Sequence, residues 1–393
     1  MSDDPATRSS SNLAEVARVF LRLGLTAFGG PAAHVAMMQD EVVARRRWMT
    51  PERFLDLLGA ANLIPGPSST ELAIFIGYER AGLLGLVVAG VSFILPAASL
   101  VTTLAWAYVR FGSLPQVAGV LYGIKPVVIA IVFQALWALA PRAIKRSPRL
   151  AILGLAACAA SMAGLDPLIV LLAAGVVSAA TPPWKARSDR LSSFQPSTLG
   201  ALAAAGATTV VPASLATLFL TFLKIGSVVF GSGYVLLAFL RGDLVDRLHW
   251  LRESELLDAV AIGQVTPGPV FTTATFIGYL VMARRGFLAG VAGAAVATFG
   301  IFLPGFFLVL LTRPLLARVR RSETASAFLD GVNVAALALM IVVLAQLARA
   351  AVVDLPTLVL AAGGTVALTK LKLSSTWMLL LGAVIGAIGA ALR

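Results

Sequence analysis

The 393-residue chain has one cysteine, Cys158, and two histidines, His34 and His249. Within one chain that excludes a disulfide framework, a CxxC redox pair and a thiolate metal cluster, and it leaves metal-centred chemistry short of ligands. No dinucleotide-binding loop is present either, so a membrane-embedded reductase would have no catalyst and no cofactor is expected. Charge is also scarce: 13% of residues are charged against 59% hydrophobic, and the mean hydropathy is +0.90. These values exclude a disordered chain and an ordinary soluble globule, and they describe an integral membrane protein. Uncharged runs at residues 81–109, 286–312 and 373–392 each reach the roughly 20 apolar residues of a bilayer crossing, so a single anchor is excluded too.

The net charge of +12 would suggest nucleic acid in a soluble protein. Here the cations sit in short loops between apolar runs, which is the pattern of cytoplasmic loops, so no nucleic acid is expected and membrane lipid is. The polar, acidic N-terminus over residues 1–11 lacks the cationic start of a signal peptide and reads as a short cytoplasmic tail.

What the chain does have is an internal repeat. A constant offset of 202 carries Gly24 to Gly226, Phe28 to Phe230, Trp48 to Trp250, Asp56 to Asp258, and Pro65, Gly66, Pro67 to Pro267, Gly268, Pro269. After a one-residue deletion Phe75 to Tyr78 reappear as Phe276 to Tyr279, and Leu95, Pro96 have counterparts in Leu303, Pro304. The expected organisation is a first transmembrane repeat at 12–182, a linker plus an unpaired extra crossing at 183–213, and a second repeat at 214–393. The polar linker precedes the crossing, which covers about 198–211.

Each repeat is interrupted twice, at Gly29, Gly30, Pro31 and the first Pro-Gly-Pro, and at Gly231, Ser232, Gly233 and the second. If these breaks are hairpins that return to their starting side, each repeat has four complete crossings. One extra crossing then starts the second repeat from the opposite face. The expectation is an all-α polytopic membrane protein with two inverted repeats built on broken or re-entrant helices. Loop charge agrees: the clusters at 45–47, 142–149, 185–190 and 313–321 fall on one side, with Arg284 and Arg285 as exceptions.

The Pro-Gly-Pro breaks are the most informative feature. Each should end one half-helix and start another within the bilayer, leaving the first amides of the new half-helix unpaired and its positive end exposed to an anion. Gly66, Ser68, Ser69 and Thr70 in one repeat, and Gly268 and Thr272 in the other, are candidate ligands, as are Gly29, Gly30 and Gly231 at the glycine breaks. Asn62 and Gln264, three residues before each triplet, are neutral donors that either contact an oxyanion or cap broken backbone. A pair of structural kinks is the alternative for both breaks.

Arg22 and Lys224 are also related by 202 and lie about two helical turns before the first glycine of each break. A cation in an apolar segment is costly, and two of them suit a dianion; snorkelling to the interface is the competing account. Lys125 is a weaker candidate, because its counterpart is Asn333. Glu71 is a candidate for carrying a coupling proton, but Ser68, Ser69, Thr70, Glu71 also spells a capping box, which is the favoured reading. His34 could titrate or donate to an anion, although a lone histidine is more often a packing residue. Asp56 and Asp258 are expected near the mouths of the hairpins, and 41–53 reads as a cytoplasmic anchor beside Trp48.

Phe28, Gly29, Gly30, Pro31 with His34, the run from Asn62 to Ala73, and the second Pro-Gly-Pro together resemble the chromate ion transporter family in its long form with both halves fused. The resemblance covers nearly the whole chain. It implies efflux of chromate from the bacterial cytoplasm across the inner membrane, conferring resistance, driven by the proton gradient or membrane potential, with sulfate as a competing analogue. It also implies an odd number of crossings. The second repeat departs from the first at Ser232, Gly233 and at Val270, Phe271, so the first is expected to supply more of the polar ligands. A sulfate or general anion permease and a passive anion channel remain alternatives, and a homodimer is one assembly left open.

Overall fold

A computed structural model describes residues 5–28, 30–112, 114–145, 147–180, 212–230, 233, 235–312 and 322–391, with side chains from residue 12 onward. The linker and the extra crossing at 198–211 therefore lie outside the described residues, as do Gly29 and Gly231. The first repeat comprises α1 (Pro5–Thr26), α2 (Gly30–Gln39), α3 (Pro51–Ala61), α4 (Ser68–Phe111), α5 (Pro115–Ile144), α6 (Pro148–Met162) and α7 (Pro167–Ala180). The second comprises α8 (Leu215–Val228), α9 (Leu236–Leu240), α10 (Glu253–Val265), α11 (Thr273–Ala283), α12 (Phe287–Thr312), α13 (Glu323–Ala351), α14 (Leu355–Thr369) and α15 (Ser375–Ala391). The described residues contain no strand. Helix α1 begins at Pro5, inside the segment that reads as a polar tail.

The chain is an all-α, polytopic membrane protein. α4, α5, α12 and α13 are each long and apolar enough to cross a bilayer, and large apolar side chains such as Leu84, Trp137, Leu155, Leu288, Phe307 and Trp377 are exposed on the helices' outer faces. α4 breaks at Ala81 and Gly82, where Gly82 has φ 63°, so one arm (68–80) folds back on a second (83–111). Gly77 lies against Gly85 with no room for a β-carbon, and Gly278 lies in the same way against Gly293 in the α11–α12 pair. Small residues set the helix spacing elsewhere too: Gly119 and Gly123 of α5 face Gly382 and Gly386 of α15, two four-residue glycine spacings in mutual contact.

The backbone repeats even where side chains differ. One π-helical turn follows α2 at Asp40–Arg45 and another follows α9 at Arg241–Arg247, and each is followed by a left-handed non-glycine residue, Arg47 (φ 53°) and His249 (φ 51°). α3 starts from Thr50, whose hydroxyl accepts the Arg53 amide, with Pro51 in the first turn. α10 starts with the Glu255 carboxylate accepting the Arg252 amide at 2.8 Å.

The second arm of α4, roughly 43 Å long at 1.5 Å per residue, serves as a ruler for direction. At its start, Glu79 holds Arg53 from the beginning of α3 at 2.8 Å, so α3 and the first arm form a re-entrant hairpin that returns to one face. Glu15 of α1 joins Arg46 and Arg80 at that face, each at 2.8 Å. Close to the other end, the Tyr108 hydroxyl donates to Asp258, near the beginning of α10, at 2.8 Å. The second re-entrant hairpin therefore enters from the face opposite the first, and the repeats are inverted. The outer helices are exchanged: α6 and α7 pack on α13, while α14 and α15 pack on α5.

Candidate functional site

The tips of the two hairpins meet at mid-chain of the long helices. The Gly66 amide donates to the Val229 carbonyl at 2.7 Å, and the Gly268 amide donates to the Ala27 carbonyl at 2.9 Å. Both relations are the same bond under the 202 offset, made reciprocally between repeats. Each glycine needs its place: Gly66 has φ 132° and Gly268 has φ 93°, and a β-carbon would run into the Glu71 carboxyl at the first and close to Ala97 at the second. The amides of Gly66 and Gly268 are thereby consumed in holding the crossing. The anion-binding capacity expected of the breaks rests on the half-helix starts behind them.

In the first repeat that start is polar. Proline 67 is the N-cap and makes no side-chain cap bond, so Ser68 is the first residue of α4. The first-turn amides of Ser68 and Ser69 have no acceptor among the described residues. The His34 ring is buried and bridges two elements: Nε2 lies 3.1 Å from the Ala27 carbonyl and Nδ1 lies 3.2 Å from Ser69 Oγ. A carbonyl only accepts, so Nε2 carries the proton, and in the neutral ring Nδ1 accepts from the serine hydroxyl. The Ala27 carbonyl is thus shared by His34 of its own repeat and Gly268 of the other.

Glu71 is wholly buried, and neither carboxyl oxygen has a hydrogen-bond partner among the described residues. The capping box is not formed: the cap is Pro67, which has no amide hydrogen to donate, and Thr70 rather than Glu71 stands at the third helical position. Its carboxyl instead lies under Gly66 and 3.7 Å from where a β-carbon on Gly305 of α12 would stand. Buried Thr70 Oγ1 and Gln264 Nε2 likewise have no partner among the described residues. Unpaired buried groups of this kind cost about 1–3 kcal/mol each, and all three residues lie within five positions of Gly66 or Gly268 along the chain.

In the second repeat the corresponding start is closed on itself. Val270–Thr272 form a 3-10 turn before α11, Thr272 Oγ1 donates to the Pro269 carbonyl at 2.9 Å, and Thr273 Oγ1 donates to the Val270 carbonyl at 2.8 Å. Val270, Phe271 and Thr272 are buried.

The other candidates differ in their surroundings. Gly30 begins α2 at φ 78°, and Asn62, at the same spacing from its tip as Gln264, is exposed at the end of α3. Arg22 is exposed on α1 and has no ion pair among the described residues, whereas Lys224 is engaged by Asp243 at 3.0 and 3.2 Å. Arg247 adds a second contact to the same buried carboxylate at 2.9 Å. The structure does not make the two cations equivalent. Asp243 went unremarked in the sequence, although it is Glu41 plus 202; Glu41 is buried and held by Arg46 at 2.7 Å. That bond, and then Glu15, hold the Arg46 guanidinium above its usual value. Asp258 is buried rather than solvated, and it joins Lys125 and Tyr108 beside a cavity on the face opposite Arg53.

Comparison with known proteins agrees in one direction. The family model described as chromate transporter matches residues 14–179 and 216–387, one segment in each repeat. A chromate transport protein of Cupriavidus metallidurans is 35% identical over 96% of this chain and 93% of its own length. A probable chromate transport protein of Synechococcus elongatus is 32% identical over 96% of this chain and 95% of its own. For a chromate transport protein of Pseudomonas aeruginosa the identity is 31%, over 86% and 82%. No solved structure matches the chain.

Proposed function

Because the chain belongs to the chromate transporter family, we propose that it is a secondary active transporter of a tetrahedral oxyanion, chromate, exporting it from the bacterial cytoplasm across the inner membrane. The observation that carries this reading is the reciprocal crossing of Gly66 and Gly268, with donors behind it that have no partner among the described residues. The oxyanion is held at the crossing by the Ser68 and Ser69 amides, the Thr70 hydroxyl and Gln264, where a positive half-helix end favours negative charge. Glu71 is the group for a coupling proton: a dianion and an ionised carboxylate are not both tolerated in one dry site, so the anion and a proton on Glu71 depend on each other. Alternating access follows from rocking of one repeat against the other about the crossing. The arginine-rich face with Arg45, Arg46 and Arg53 is the cytoplasmic one.

Uptake of radiolabelled chromate by everted membrane vesicles, with and without an imposed proton gradient, tests this. The expected result is saturable, gradient-dependent uptake that excess sulfate reduces. Flux without saturation makes the protein a channel, and no flux above empty vesicles removes chromate as the substrate.

A further inference from the structure

The long helices α4 and α12 are each seated in the core of the other repeat. Val309 of α12 is buried among residues of α1, α3 and the first arm of α4, and Val101 of α4, its counterpart, is buried among residues of the second repeat. Each helix carries a proline, Pro96 or Pro304, and the residue after it meets the hairpin tip of the other repeat. At the second tip that contact is filled: the Ala97 methyl lies 2.6 Å from where a β-carbon on Gly268 would stand. At the first tip it is left open. Gly305 is buried but brings no side chain, and the Glu71 carboxyl takes the space, with Oε1 where a β-carbon on Gly66 would collide and 3.7 Å from where one on Gly305 would stand. A glycine therefore accompanies the buried glutamate at one tip, and an alanine accompanies Thr273 at the other.

Resting on the transport reading above, we propose that Gly305 is a positioning residue for the coupling proton: standing bare against Glu71 Oε1, it makes α12 of the second repeat the movable cover over the proton carrier of the first. Glu71 belongs to the first hairpin and Gly305 to the other repeat, so rocking of one against the other changes how much of Oε1 is covered. With α12 in place a charge on the carboxyl meets no solvent and no partner among the described residues, and the proton stays; with α12 drawn back water reaches Oε1, and the proton leaves. Other titratable groups on the elements packed against this arm are engaged elsewhere or exposed. α12 itself has none. His34 of α2 is committed to Ala27 and Ser69, Glu15 of α1 to Arg46 and Arg80, and Arg53 of α3 to Glu79. Arg18 and Arg22 of α1 and Glu52 and Asp56 of α3 are exposed. Tyr279 of α11 lies by Gly290, and the α10 acids Glu253, Glu255 and Asp258 pair with Arg241, Arg252 and Lys125.

Two substitutions separate this role from packing. In Gly305→Ala the methyl is in ordinary contact with Oε1 and only closes the gap, whereas in Gly305→Ser the hydroxyl comes within hydrogen-bonding distance and gives the carboxylate a donor. The carbonyl stretch of protonated carboxyls is followed by infrared difference spectroscopy on purified protein across a range of pH, and the band of Glu71 is the one lost in Glu71→Gln. Relative to the unaltered protein, that band should persist to higher pH in Gly305→Ala and fade at lower pH in Gly305→Ser, each by about half a pH unit or more. The pH profile of chromate uptake by vesicles should move in the same two directions, and in a Glu71→Gln background neither substitution should move it. If one variant fails to fold, the direction of the other decides. A band that titrates alike in all three proteins, moves the same way in both variants or does not titrate in the unaltered protein overturns the inference. Should that happen while unaltered vesicles transport chromate, only the role of Gly305 has failed; bands that separate in a protein moving no chromate leave Gly305 in control of Glu71 and remove the transport reading.

Discussion

The two hairpin tips share a backbone but not a chemistry. In both, a Pro-Gly-Pro glycine with positive φ donates its amide across to the end of the other repeat's first helix. Behind the first tip stand Ser69, His34 and Glu71, which has no partner among the described residues; behind the second, Val270 and Phe271 fill the space, and the hydroxyls of Thr272 and Thr273 turn back onto their own backbone. Duplication supplied the frame twice, because the frame needs two tips to satisfy each other's broken backbone. A second set of unpaired polar groups would add buried groups that cost stability.

The largest effect is expected at the shared element. Gly66→Ala and Gly268→Ala should each abolish vesicle transport and destabilise the protein, since a left-handed or mirror-β backbone alone costs a non-glycine residue about 1–3 kcal/mol and the added carbon also collides. The collisions differ, so thermal unfolding should show Gly66→Ala partly relieved by Glu71→Ala and Gly268→Ala partly relieved by Ala97→Gly. Equal response to either second substitution would mean the tips are not packed as described.

Next comes the asymmetry itself. Glu71→Gln should reduce gradient-driven chromate uptake by more than tenfold, whereas Thr273→Val, at the corresponding position, should leave it within about twofold, a difference of at least ~1 kcal/mol in the barrier. Comparable losses would restore chemical symmetry to the crossing. A smaller effect follows from giving the first repeat the second repeat's residue: His34→Leu, matching Leu236, leaves Ser69 without its ring partner and should lower stability by about 1–3 kcal/mol in a thermal or denaturant melt.

The smallest effects separate the two symmetric cations. Arg22→Ala, at an exposed position, should change stability by less than about 0.5 kcal/mol, so any transport lost with it reports on the anion. Lys224→Ala should lower the melting temperature, and Asp243→Asn should recover part of that loss, because the cation's first task is to hold a buried carboxylate. Identical behaviour of the two variants would return them to a common role.

Much of this was legible in the residues. Periodic apolar runs, the 202 offset and the prolines gave the helices, the breaks and the inverted relation, because each depends on local backbone chemistry or on a count along the chain. The polar character of the first tip was visible as Ser68, Ser69 and Glu71 against Val270, Phe271 and Thr273. The capping box was misread, since the motif supposes Ser68 at the cap and the fold of the loop puts Pro67 there. Lys125 with Asp258, and Lys224 with Asp243, escaped because the first pair joins helices from different repeats and the second spans a hairpin, and nothing local marks either partner.

By itself, then, the amino-acid sequence determined that the chain lies in a membrane, that it is built twice, where its helices break and which repeat is the more polar. Those properties follow from hydropathy, from proline's missing amide and from glycine's missing side chain, all carried by individual residues. The tertiary structure decided what the breaks do: the Gly66 and Gly268 amides satisfy Val229 and Ala27 rather than an anion, and among the described residues Glu71 has no partner, Lys224 is neutralised by Asp243 and Arg22 has no ion pair. The tip hydrogen bonds join segments some two hundred residues apart and form only when the two repeats are packed together, and the Lys224 pair forms only when its own hairpin closes.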